Sequence, residues 1–299
     1  MPEIQNTGIN FTREDIKNLV STVHNFFDKT GQIFNQYNNE PSPNSLASSE
    51  ISNFPTPELV STAYSLGTIS MESAADHLMA FANLVSEPAK TIAPWTCVRG
   101  LLESCAMAYW FLDHSIDAMN RVGRSFAFRF KGFEEQIKYF RKINDQSKMD
   151  FAQNRIIKVE NDAMALGFPQ LLNDKGRVNG IAQYMPSITD LIETTLNGES
   201  DYRLLSAVAH GHHWATHQIG FRVVEMENPQ GKLAKALIKT AHPNFIMYIG
   251  LIAVTSFSKV LWNMWQLYGW NLDELKNLLE LTYDQLKYSS QVRFWRMPS

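Results

Sequence analysis

The chain has 299 residues, with 27 Lys and Arg against 30 Asp and Glu and a formal net charge of −3. That length suits one large domain or two small ones, and hydrophobic residues at 44%, with 12% aromatic, are enough for a substantial core and for apolar ligand pockets. The slight acidity excludes a general nucleic-acid coat protein, which would be strongly basic, but leaves room for a local basic groove.

Helical signals dominate from the start. Thr12, Glu14 and Asp15 read as an N-cap followed by an acidic first turn. They open a helix to about residue 37 with Ile16, Leu19, Val23 and Phe26 on its apolar face. Residues 38–57 are rich in Pro, Ser and Asn and read as a loop or linker. Pro57 opens a long helix to about residue 87, with proline in a first-turn position. Helices follow over about 93–112, 115–144 and 149–166. Residues 167–186 carry turn chemistry, with room for a short hairpin because VNGIAQY has no helical period. A short helix covers 187–196.

The stretch 199–221 reads as one helix, with Glu199 and Asp201 at its start and Gly220 at its end. Asn228-Pro229-Gln230-Gly231 interrupts the chain, and residues 232–241 read as a short helix. Residues 243–268 form a long apolar helix, and 271–289 an amphipathic one N-capped by Asn271. No run alternates long enough to build a sheet. The expectation is an all-α, single-domain bundle of about eight to nine helices. Within it, residues 1–37 form an N-terminal helix, 38–57 a loop and 58–299 the main bundle.

Cys97 and Cys105 lie eight residues apart on one helix, a span of about 12 Å that no disulfide bridges. A reducing compartment fits. The first fifteen residues lack a charged-then-apolar leader pattern. The most apolar stretch, 245–257, is shorter than the roughly 20 residues of a membrane span. The reading is a soluble, cytoplasmic protein.

Polar residues run in stripes along helices that otherwise look buried. On the 199–221 helix, Arg203, Ser206, His210, His213 and His217 fall in one quadrant. On the 93–112 helix and just past it, Arg99, Glu103, Trp110, His114 and Asp117 align, and Arg121 and Arg124 follow. Glu72 lies on the 57–87 helix. Buried charges are costly unless paired, so such stripes point to one enclosed site.

The run APWTCVRGLLESCAMAYWFLD with Arg121 and Arg124, and later YRLLSAVAHGHHWA, resembles a family of uncharacterised bacterial helical proteins. The matching positions are Arg99, Glu103, Trp110, Arg121, Arg124, Ser206, His210, Gly211 and Trp214. Three further resemblances suggest chemistry. Arg203 and His210, an Arg-to-His spacing on one helix, resemble HEPN proteins, helical bundles that are often metal-independent ribonucleases and usually dimeric. That resemblance implies an arginine holding a phosphodiester and a histidine as acid or base. His210, His213 and His217 with Glu72, Glu103 and His114 resemble a carboxylate–histidine dimetal site of the ferritin or haem-oxygenase type, which implies iron. Asp113 and Asp117, with His114 between them, resemble the aspartate-rich motif of terpenoid synthases, which implies magnesium and a diphosphate met by Arg121 and Arg124.

The favoured reading is an enzyme acting on an anionic, phosphate-bearing small molecule or on RNA, with no cofactor and in a homodimer. His210, Glu103, Arg203 and Ser206 are its candidate catalytic residues. Arg99, Arg121, Arg124, Trp110 and Trp214 are its candidate binding residues. A non-enzymatic protein whose stripes only set helix register is the remaining alternative.

Overall fold

In a computed structural model of the chain, residues 10–227 and 231–286 are described. The protein is predominantly helical: eleven helices and two two-stranded hairpins form among the described residues, against about eight to nine helices expected from periodicity. Relative to the ten segments that read as helical one by one, a short helix inside the expected loop and a break in the expected 199–221 helix add two, and the 232–241 segment, a strand, removes one.

Helix α1 (Arg13–Gln36) begins with a capping box: the Thr12 hydroxyl accepts from the Asp15 amide, and the Asp15 carboxylate accepts from the Thr12 amide at 2.8 Å. Its apolar face, Leu19, Val23 and Phe26, is fully buried. The Pro/Ser/Asn-rich loop is partly ordered as α2 (Leu46–Asn53), N-capped by Ser45, whose hydroxyl accepts from the Ser48 amide at 3.1 Å. Eight residues hold little periodicity, so composition outweighs it in the sequence. Packing against α3 (Pro57–Val85) stabilises the helix.

Helices α3 and α4 (Ala93–Phe111) form the largest seam of the bundle, running antiparallel. Two glycines set its spacing. A Cβ placed on Gly67 of α3 would lie 2.6 Å from Leu112 Cγ, and one on Gly100 of α4 would lie 2.7 Å from His77 Nε2. Gly67→Ala should therefore be destabilising, by up to about 2 kcal/mol. Overpacking a filled seam costs ~1–3 kcal/mol, which outweighs the ~1 kcal/mol that Ala gains in helix propensity. Urea unfolding of the two forms reads this difference, and a variant more stable than the unaltered protein would show that the seam opens without cost.

A second helical hairpin, α5 (Ala118–Lys142) and α6 (Gln146–Ala165), packs on α3 and leads into the short hairpin β1 (Gln170–Leu172) and β2 (Val178–Ile181). Helix α7 (Ile188–Leu196) ends on Asn197 in the left-handed conformation, φ 55°.

The expected helix over 199–221 is two helices. Helix α8 (Glu199–Ala209) stops at His210, Gly211 takes φ +68°, and α9 (His213–Gly220) restarts in a new direction. Only glycine enters that backbone region without cost, so Gly211 breaks the phase on which the five-residue stripe depends. Gly220 does end its helix.

The expected short helix over 232–241 is a strand. β3 (Phe221–Glu227) pairs antiparallel with β4 (Leu233–Lys239), from Phe221↔Lys239 to Glu227↔Leu233. The segment LAKALIK has good helix formers, and cross-strand pairing with a Val-rich neighbour overrides that preference.

Helix α10 (Pro243–Tyr268) crosses the middle of the bundle against α1, α3 and α4, and α11 (Leu272–Gln285), capped by Asn271, closes on α1 and α10. The last residues of the helix expected to 289 lie outside the described residues. At 26 residues α10 extends past the apolar run 245–257 and is long and apolar enough to cross a membrane. Yet 67% of its most apolar window is buried inside the protein, as in a core helix. One apolar core runs from Ile16 to Leu286. Both cysteines are free, and Cys105 is fully buried.

Candidate functional site

The residues singled out by the stripes are distributed over four clusters, each built by different elements.

The first lies at the C-terminal end of α4. Arg121 on α5 is 0% exposed and sits against Glu50 on α2, with Nε to Glu50 Oε2 at 2.9 Å and Nη2 to Oε1 at 3.3 Å. Its Nη1 donates to the Phe111 carbonyl, and Nη2 to the carbonyls of Asp113 (3.0 Å) and Ile116 (3.2 Å). All three nitrogens are thus committed to protein acceptors. Tyr64 donates to Glu50 Oε2 at 2.6 Å, and the guanidinium lies 5.0 Å from the Tyr64 ring centroid. Burial, reinforced by Glu50 and opposed by Arg121, pushes the Tyr64 hydroxyl far above its ordinary range. Burial also pushes Tyr268 up to about 12, again opposed by Arg121. Arg121 holds the chain that leaves α4 and, at 0% exposure, presents no surface to a ligand.

The second cluster is adjacent. Arg124 donates to the Trp110 carbonyl and to Asp113 Oδ2 at 3.3 Å, with its guanidinium 5.4 Å from the Trp110 ring. The other Asp113 oxygen accepts from the Ser115 amide (3.0 Å) and hydroxyl (2.6 Å). Burial raises the Asp113 carboxyl, but these bonds and Arg124 hold it below the usual carboxylate range. Asp117 is the N-cap of α5, bound to the Asn120 amide at 2.7 Å. The aspartate pair therefore serves a turn and a cap. His114 Nδ1 bonds the Oδ1 of Asn263, whose amide donates to the Leu112 carbonyl at 2.9 Å, which ties this corner to α10.

The third cluster joins α4 to α8. Arg99 Nη2 lies 2.8 Å from Glu103 Oε1, and the Tyr202 hydroxyl donates to the same oxygen at 2.9 Å while accepting from Arg99 at 3.3 Å. Arg99 and Glu103 are 27% and 33% exposed, and Arg99 Nε is buried with no partner among the described residues. Ser206 follows Tyr202 by one turn on α8 and is half-buried.

The fourth is the turn between α8 and α9. His210, the C-cap of α8, is exposed, as are His212, His213 and Trp214, the last at 55%. The His213 and His217 rings stack at 5.2 Å. Arg203 is exposed on α8 and pairs with Glu199 at 2.6 Å. Glu72 is exposed on α3. Among the described residues no three His, Cys, Asp or Glu side chains come together as a metal-binding group, so the dimetal expectation has no gathered ligand set to rest on.

Four partners were missed in the sequence, among them Asn263, a polar residue within the apolar α10. Glu50 lies in a segment whose composition reads as loop. Tyr64 is one aromatic among many on α3. Tyr202 was within reach, since it stands four residues before Ser206 in line with the polar stripe. The chain matches no protein-family model, and no curated protein or solved structure matches it significantly.

Proposed function

We propose that the turn between α8 and α9 acts on an anionic, phosphate-bearing substrate, most concretely RNA, by metal-independent phosphodiester cleavage of the HEPN-like kind. The observation that carries this reading is the placing of His210 and Arg203, both exposed, on one face of α8 and its cap. Seven residues apart, the two positions point within about 20° of each other and are separated by roughly 10 Å along the axis.

The chemistry follows from the residue types. Arg203 holds a non-bridging phosphate oxygen. Its pairing with Glu199 is exposed on both sides and contributes about 0–1 kcal/mol, so it yields readily. His210 takes the proton of the ribose 2′-hydroxyl as that oxygen attacks the neighbouring phosphorus. The 5′-oxygen leaves with a proton from His212 or water, and the products are a 2′,3′-cyclic phosphate and a 5′-hydroxyl. Trp214 offers an exposed ring on which a base stacks. A homodimer, which HEPN-like sites use, has exposed apolar side chains close by on β3 and β4, at Val223, Met226 and Leu233.

The test is cleavage of an end-labelled single-stranded RNA in excess EDTA. His210→Ala should slow cleavage by about 10²–10⁴-fold, the usual contribution of a general acid or base. The thermal transition should be nearly unchanged, because His210 lies at a helix end outside the core. No cleavage by the unaltered protein, or equal rates in the two forms, removes the reading. A metal-dependent alternative keeps one observation, the stacked His213–His217 pair on one face of α9. About one equivalent of bound zinc or iron, lost on chelation together with activity, would favour it.

A further inference from the structure

A groove of about 420 Å³ opens between α3, α5 and α6, within the volume range of small-molecule sites. It lies on other elements than the histidine turn and shares no residue with it. Its walls are Thr62 and Leu66 from α3, Phe128, Arg129, Phe133 and Gln136 from α5, and Arg155 from α6. None of the lining side chains is acidic.

Two features of this groove lack a structural purpose. The first is Gly132, in the middle of α5. A glycine there weakens the helix relative to alanine, and no close approach requires it, because an added Cβ would meet nothing within 4 Å. Its effect is to leave the floor of the groove open. The second is the pair of arginines. Among the described residues neither the Arg129 nor the Arg155 side chain has an ion pair or a hydrogen bond, unlike Arg99, Arg121, Arg124 and Arg203. Arg155 lies over the rings of Phe133 (5.3 Å) and Phe151 (4.8 Å), which fixes its plane at the groove edge. Burial draws the Arg129 guanidinium below its ordinary range, with Asp162 opposing and Arg155 adding to the effect. Asp162 is itself held by Lys158 at 2.9 Å. Two cations facing one opening repel each other, and an anion between them converts that repulsion into two attractions.

We propose that this groove binds an organic anion with a flat apolar body, its carboxylate or phosphate held between Arg129 and Arg155 and its body lying over Gly132 against Leu66, Phe128 and Phe133.

The probe is 8-anilinonaphthalene-1-sulfonate, a flat aromatic anion, titrated by fluorescence into the full-length protein. Its neutral counterpart N-phenyl-1-naphthylamine serves as control. Saturable binding of the anion is expected, with the neutral probe weaker by about a hundredfold, as the loss of two charge-assisted contacts of about tenfold each implies. Arg129→Gln and Arg155→Gln should each weaken the anion by about tenfold and leave the neutral probe unchanged. Gly132→Leu should abolish binding of both probes, since its side chain fills the floor, while the melting temperature does not fall. Should either arginine variant unfold, Gly132→Leu decides alone. Displacement by 1-naphthyl phosphate or by 1-naphthoate then assigns the anionic group. Absent or unsaturable anion binding, binding that survives Gly132→Leu, or equal binding of the two probes would overturn the proposal.

Discussion

Replacing Glu50 with Ala should lower stability by about 3–5 kcal/mol, because it leaves the Arg121 guanidinium buried without its countercharge. Arg121 is completely inaccessible and Glu50 nearly so, and the pair is bidentate. The remaining acceptors around Arg121 are neutral, the carbonyls of Phe111, Asp113 and Ile116. The loss should appear as a fall in melting temperature on the order of ten degrees. The same argument fixes the control. A Glu50→Leu, Arg121→Met double variant removes both charges and should recover most of the stability, since well-packed apolar residues often replace a buried ion pair at little net cost. A single-variant loss under about 0.5 kcal/mol, the size of an ordinary surface substitution, would mean that Arg121 reaches water after all.

Trp265→Ala should cost about 3–5 kcal/mol, the range for removing a fully buried aromatic side chain. Trp265 is 0% exposed and packs edge to face on Phe34 (5.3 Å) and Trp270 (4.8 Å). Trp270 in turn stacks on Tyr37 at 4.9 Å, and its indole N–H donates to the Glu40 carbonyl at 2.9 Å. Removing Trp265 therefore loosens the end of α1, the segment after it and the start of α11 together. Trp265→Phe should cost far less. It keeps an aromatic ring in place and removes an indole N–H that is buried with no partner among the described residues. Near-UV circular dichroism and guanidinium unfolding of both variants read the difference. Equal losses would show that the ring's size, not its placement among the aromatics, is what matters.

Much of the architecture was legible because it is local. The Thr12–Asp15 capping box, Pro57 at the first turn of α3, Asn271 ahead of α11 and the 3.6-residue period of the long helices are written within a few residues of where they act. Helical class follows from those signals alone. The short hairpin over 170–181 was legible too, as a stretch without a helical period.

The tertiary structure decided the rest, and the reason is distance along the chain. Glu50 meets Arg121 across 71 residues, Tyr202 meets Glu103 across 99, and Asn263 meets His114 across 149. Helical periodicity reports which face of a helix a residue occupies, but not which helix that face meets. Arg99, Arg121 and Arg124 thus read as one group of candidate ligand-binding arginines, yet folding gave each a different partner and committed two of them to structure. The histidine stripe failed for a different reason, since one backbone angle at Gly211 ends the phase that aligned it. The β4 segment was misread because pairing with β3 outweighs the helix preference of Leu, Ala and Lys. By itself the sequence determined the long helices and the helix starts at Thr12, Pro57 and Asn271. Long-range packing determined which charges are structural and which, at His210, Arg203, Arg129 and Arg155, are left facing solvent or a groove.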